Sequence, residues 1–154
     1  MTEIYVDADA CPVREEVYRV AARLSLVVHV VHNGSRPIRP QAEPRIRVVT
    51  VESTPDAADD WIAERISKDD VCVTQDIPLA SRCLSRGARA LAANGRVWTG
   101  DNIGAALASR AIGEAMRSAG LATGGPAALT KQDRSRFLGA LDTLVQAALR
   151  GQNA

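Results

Sequence analysis

Short apolar runs, mostly β-branched, recur along this sequence at strand length: EIYVD (Glu3 to Asp7), LVVHVV (Leu26 to Val31), IRVVTV (Ile46 to Val51), VCVT (Val71 to Thr74) and ARALA (Ala88 to Ala92). Segments of helical spacing separate most of them. Val13, Val17, Val20, Ala21 and Leu24 repeat on one helical face, with Pro12 suited to a first turn. Thr54 and Pro55 open a helix expected to reach Ser67, and a third helix spans Pro78 to Arg86. Parallel strands need long crossovers, usually helical, so this alternation restricts the chain to a three-layer α/β fold with a mainly parallel sheet of about five strands. Pro37, Pro40 and Pro44 make Asn33 to Arg45 a long loop. Two further helices, Asn102 to Ala119 and Lys131 to Arg150, are expected to cover one side of the sheet. Residues 1–150 then form a single domain and 151–154 a disordered tail.

Composition removes several classes of function. A chain of 154 residues, 46% hydrophobic and 24% charged, can bury a real core. No apolar run approaches the roughly 18 residues of a membrane span, and the first residues lack the basic-then-apolar pattern of a signal peptide. Cys11, Cys72 and Cys83 are odd in number and show no metal-binding spacing, so thiols in a reducing cytoplasm are expected. A formal charge of +1 supplies no global attraction for nucleic acid.

Acidic residues cluster where strands end or helices begin: Asp7 and Asp9, then Asp56, Asp59 and Asp60, then Asp76, then Asp101. The carboxyl ends of parallel strands share one edge, where such folds bind ligands, so these carboxylates are expected to meet. At an effective dielectric near 20 and about 4 Å, each such pair repels by roughly 4 kcal/mol. A hard divalent cation, Mg2+ or Mn2+, relieves that repulsion. Any one of these acids is also what a helix start uses, but Asp56, Asp59 and Asp60 on about one turn exceed the needs of capping. Asp56 and Asp59 share a face and are expected to point toward the strand ends.

The remaining polar candidates are fewer. Ser35, Arg36, Arg39, Arg45 and Arg47 make the most basic stretch, and Arg36 and Arg39 are candidates for phosphate contacts. Thr130 and Asp133 match a capping box, which places Lys131 and Arg134 at a helix start where they could hold an anionic substrate, while Asn102 follows Asp101 at another. Aromatic content is 3%, so base-stacking surfaces are scarce; Trp98 is the one candidate, with a core role equally open. His29, His32 and Cys11 read as packing residues.

VDADACP, D-x-A-D at the second helix, VTQDIPLA and GGPxxLTKQDRxxF occur in order over nearly the whole chain. Together they resemble the YaiI/YqxD family, whose pattern is similar to PIN-like (PilT N-terminus) nuclease domains. The resemblance implies one or two Mg2+ or Mn2+ ions held by acids at the sheet edge, hydrolysis of phosphodiesters, and RNA as substrate. Carried over, Asp7 is the first-strand ligand and Asp9 its neighbour, Asp56 or Asp59 the helix acid, and Asp76 the acid after the fourth strand, with Asp101 a further metal candidate. One segment departs: the family's L-N-P-R-G reads Leu91-Ala92-Ala93-Asn94-Gly95 here, so that asparagine's role is lost or passes to Asn94 or Asn102. Two other readings stay open. One is a haloacid-dehalogenase-like phosphatase with Asp7 as nucleophile and Asp9 as acid/base; the other is a non-catalytic module binding nucleic acid or protein.

Overall fold

A computed structural model describes residues 2–35, 37–118 and 128–151, without the side chains of residues 10 and 112–118. Six strands form one sheet: β1 (Glu3–Asp7), β2 (Val27–His32), β3 (Ile46–Thr50), β4 (Val71–Val73), β5 (Arg89–Leu91) and β6 (Val97–Trp98). The helices are α1 (Arg14–Leu24), α2 (Ala57–Arg65), α3 (Ile77–Ser85), α4 (Gly100–Ser118) and α5 (Lys131–Leu149). The strand order is β3-β2-β1-β4-β5-β6, parallel except for β5 against β6. The three-layer α/β architecture is the expected one and is consistent with a PIN-like fold.

Side-chain alternation explains the two cores. Ile4, Val6, Val28, Val30, Val71, Val73 and Leu91 face α1 and α5, burying Val13, Val17, Phe137, Leu141 and Val145. The intervening Tyr5, Val31, Cys72 and Ala90 face α2, α3 and α4, burying Ile62, Leu79, Cys83 and Ala106. Strands buried on both faces read as continuous apolar runs, which is why β1, β2 and β4 are so plain in the sequence. Edge strand β3 is only half-buried.

The structure corrects three expectations and adds one observation. The two C-terminal helices take opposite faces: Ala106 of α4 packs in the α2–α3 core, and Phe137 of α5 in the α1 core. The segment after Asn94-Gly95, outside the roughly five strands expected, is antiparallel strand β6, joined to β5 by residues 92–96, a turn that contains the Asn-Gly pair hairpins favour. Helix α2 begins at Ala57 with Asp56, not Thr54, at the cap position, because Thr54 is spent one turn earlier: its carbonyl accepts from Ala57 N. A 3-10 turn (Ala8–Ala10) directly follows β1, so strand alternation stops at Asp7. The Thr130–Asp133 capping box forms, each side chain accepting from the other's backbone N–H at 3.0 Å. Residues 152–154 of the expected tail, and residues 119–127 before α5, lie outside the described residues.

Gly95 locks the hairpin against α5. Its φ is +90°, and a Cβ there would meet the backbone C of Arg136 at 2.8 Å and N of Phe137 at 2.9 Å. Overpacking against backbone plus a left-handed φ predicts that Gly95→Ala destabilises by about 2–4 kcal/mol. Gly104, on α4, is the control: a methyl added there would have nothing within 4 Å, so alanine should be neutral or stabilising by up to about 1 kcal/mol. Urea melts of both variants check the contrast.

Candidate metal and phosphodiester site

The order of strands reverses direction between β1 and β4: β2 and β3 extend to one side, and β4 and β5 to the other. Open α/β sheets bind ligands in the crevice at that reversal. Here the crevice is a cleft of about 380 Å³ lined by Asp7, Asp9, Asn33, Pro55, Ala58, Asp59, Gln75, Asp76 and Arg110.

Each carboxylate reaches it by a different local device. Asp7 is the last residue of β1, and its Oδ2 accepts from Thr74 Oγ1 at 2.8 Å. Thr74 Oγ1 in turn accepts from Asp76 N at 2.9 Å, so one buried hydroxyl ties the ends of β1 and β4 together. Asp9, on the 3-10 turn, accepts from Asn33 N at 3.1 Å, which links it to the end of β2. Asp76 caps α3, its Oδ1 accepting from Leu79 N at 2.8 Å. Asp59 projects from the first turn of α2.

Their proximity is costly. Burial pushes the Asp59 carboxyl up to about 7, with Asp76, Asp7 and Asp56 adding repulsion and Arg82 offsetting part of it. Asp7 is raised by burial, partly relieved by the Thr74 hydrogen bond, and further raised by Asp76 and Asp9. Perturbed acids converging in a cleft mark candidate functional sites. No group of three acidic, histidine or cysteine side chains is already drawn together at ligand spacing among the described residues. The donors nonetheless fit a hard cation that takes one or two carboxylates directly and retains its waters, as Mg2+ does.

Other sequence candidates fall elsewhere. Asp56 is exposed at the cap position of α2, near enough to raise Asp59 but outside the cleft lining. Asp60 pairs with Arg82 at 2.8 Å. Asp101 is exposed on the first turn of α4. Asn102 is spent on its own helix start, accepting from Thr99 N at 2.8 Å and donating to Val97 O at 2.9 Å. Asn94 closes the hairpin turn by accepting from Arg96 N. Arg134 donates to Pro12 O at 2.8 Å and approaches Glu16 at 3.5 Å, bridging α5 to α1; Lys131 lines a separate depression with Gln132, Ser135 and Arg136. Arg39 is exposed in the long loop, and Arg36 lies outside the described residues.

Cleft residues that the sequence did not single out are Asn33 and Arg110, while Gln75 entered only as part of the VTQDIPLA motif. Asn33 directly follows β2 and Gln75 lies between Thr74 and Asp76, so strand-end position was an available signal for both. Arg110 sits midway along α4 and carried none. The packing residues behave as such: His29 bonds Glu3 at 2.9 Å and stacks on Tyr5, and His32 bonds Thr50. Cys11 is buried, with its thiol pushed up to about 11, too high for a nucleophile at neutral pH.

Comparison with known proteins covers nearly the whole chain. The family described as "Uncharacterized BCR, YaiI/YqxD family" matches residues 5–147. UPF0178 proteins of Rhodospirillum rubrum and a Caulobacter species are 53% and 55% identical over 150 residues, 97% of this chain and 99% and 98% of theirs. That of Caulobacter vibrioides is 56% identical over 147 residues, 96% of this chain and 95% of its own. No solved structure matches the chain.

The Asp59 conflict has a measurable sign. Folded Asp59 keeps its proton until about pH 7, whereas the unfolded group loses it near 3.8, so folding stability falls as pH rises through that window. Because Asp59 retains contact with water, about 1 kcal/mol is expected rather than the roughly 4 kcal/mol of the undiscounted shift. Asp59→Asn should therefore be more stable than wild type at pH 8, equal to it at pH 4, and flatter between. Denaturant melts across pH decide it; a destabilised variant at pH 8 would show that the carboxylates are not in conflict.

Proposed function

Given that this chain belongs to the YaiI/YqxD family, we propose that it is a nuclease dependent on Mg2+ or Mn2+ that hydrolyses phosphodiester bonds in RNA. The observation that carries the reading is the convergence of Asp7, Asp9, Asp59 and Asp76 in one cleft at the reversal of strand order, with Asp59 raised to about 7. The choice of RNA comes from the PIN-like resemblance alone.

Asp7 and Asp76 would hold the cation, flanked by Asp9, since hydrogen bonds already fix the positions of all three. A divalent ion supplies polarisation of the phosphoryl oxygen and a lowered pKa for an attacking water. Thr74 keeps Asp7 oriented. Asp59, projecting from α2 into the same cleft, would take the proton from the attacking water. Arg110 places positive charge at the cleft wall, where a phosphate would otherwise face only carboxylates.

The phosphatase reading has less support. A haloacid-dehalogenase-like site needs a lysine beside the aspartates, and neither lysine lines this cleft: Lys68 packs against Gly87, and Lys131 stands on α5. The binding-module reading leaves the shared acidic cleft without a purpose, because acids without a cation repel phosphates.

Cleavage of a labelled RNA in Mn2+ is the test. Wild type should cleave, EDTA should abolish it, and Asp7→Asn and Asp76→Asn should each lose about 100-fold or more while remaining folded. Isothermal titration should show Mn2+ binding weakened in both variants. An aspartyl phosphate trapped on Asp7 would establish the phosphatase instead, and tight RNA binding indifferent to both substitutions, without cleavage, would establish the module.

A further inference from the structure

A second cleft, of about 400 Å³, adjoins the acidic one and is lined by Ile77, Arg96, Trp98, Ala105, Ser109 and Arg110, with Ala106 at its base. Arg110 lines both clefts, and Asp76 of the first is followed directly by Ile77 of the second. Both therefore open along the carboxyl edge, the second between the β5–β6 hairpin and α4. Their charge is opposite. The first carries four carboxylates and one arginine, whereas the second has two arginines and no carboxylate in its lining.

We propose that this second cleft holds the nucleotide next to the scissile phosphate of a single-stranded polynucleotide, an assignment that rests on the nuclease reading of the acidic cleft. Arg96 is exposed and its guanidinium carbon lies 4.7 Å from the centre of the Trp98 ring, so the indole braces the guanidinium. A braced guanidinium offers its edge to a phosphate and its outer face to a base. Trp98 is 7% exposed, and its indole N–H has no acceptor among the described residues. Ala105 and Ala106 are too small to fill the space, and Ser109 adds a hydroxyl. About 400 Å³ is a small-ligand volume, enough for one nucleotide and far too small for a duplex. With no carboxylate to overcome, this cleft binds the chain without a metal and delivers the adjoining phosphate to the acids. Contacts of this kind go to backbone and base plane, so sequence preference is weak.

Fluorescence anisotropy of a labelled single-stranded oligoribonucleotide tests this without requiring cleavage. In metal-free buffer Arg96→Ala should weaken binding about tenfold and reduce the slope of log affinity against log salt by about 0.7, the loss of one phosphate contact on a single strand. Arg96→Lys should restore the salt slope but only part of the affinity, because the charge returns without the stacked plane. In Mn2+, Arg96→Ala should raise KM for the oligonucleotide more than for bis(p-nitrophenyl) phosphate, which occupies the acidic cleft alone. Unchanged oligonucleotide affinity in Arg96→Ala, an unchanged salt slope, or tighter binding of a duplex than of the single strand would overturn the assignment. Failure of wild type to hydrolyse either substrate would overturn the nuclease reading and leave the binding result to stand by itself.

Discussion

Like-charge crowding at the reversal of strand order is the constraint around which this molecule is organised. The hydrogen bonds among Asp7, Thr74 and Asp76 hold the end of β1 to the end of β4, and Asn33 holds Asp9 to the end of β2. These bonds fix the Asp7 and Asp9 carboxylates near the strand ends. Burial raises the Asp59 carboxyl to about 7, and repulsion from Asp76, Asp7 and Asp56 adds to the shift. Nothing in the folding of the sheet demands that conflict, since two apolar cores already hold its faces. Crowded, partly buried carboxylates held in a cleft by hydrogen bonds mark a candidate functional site.

The surrounding structure serves to keep that edge rigid. Gln75 accepts from Ala93 N at 3.0 Å and so fastens the loop after β4 to the end of β5. Gly95 lets the β5–β6 hairpin settle against the backbone of α5. Because α5 also packs on α1, the elements behind the acidic cleft form one continuous body. The two clefts are then neighbours on a fixed frame, one acidic and one basic, with Arg110 on the ridge between them.

Much of this was legible because the signals were local. The apolar runs gave β1 to β5 to within a residue or two, since strands covered on both faces need no polar positions. Asp76 reads as a helix cap and as a candidate site residue, and its position allows both: one oxygen satisfies Leu79 N while the residue lines the cleft. Asn102, by contrast, is wholly absorbed by its cap, and Arg134 by its bridge to Pro12. Sequence alone could not separate these cases, because a cap motif looks the same whichever way its free side faces. The short strand β6 was missed although Asn94-Gly95 announces a hairpin; two residues carry too little periodicity to register. Arg110 was invisible because its relevance depends on where a helix far from the acids comes to lie.

The sequence by itself determined the elements, their alternation and therefore a parallel α/β sheet with acids at its carboxyl edge. Hydrophobic period and capping chemistry are properties of neighbouring residues, and they are written in consecutive letters. The tertiary structure alone decided which acids share a cleft, which face each C-terminal helix covers, and that a basic cleft adjoins the acidic one. Those outcomes turn on strand order and on helix packing across distances that no local pattern encodes. Asp7, Asp9, Asp59 and Asp76 stand together because β4 was laid beside β1, and Arg110 joins them because α4 crossed to the far side of the sheet.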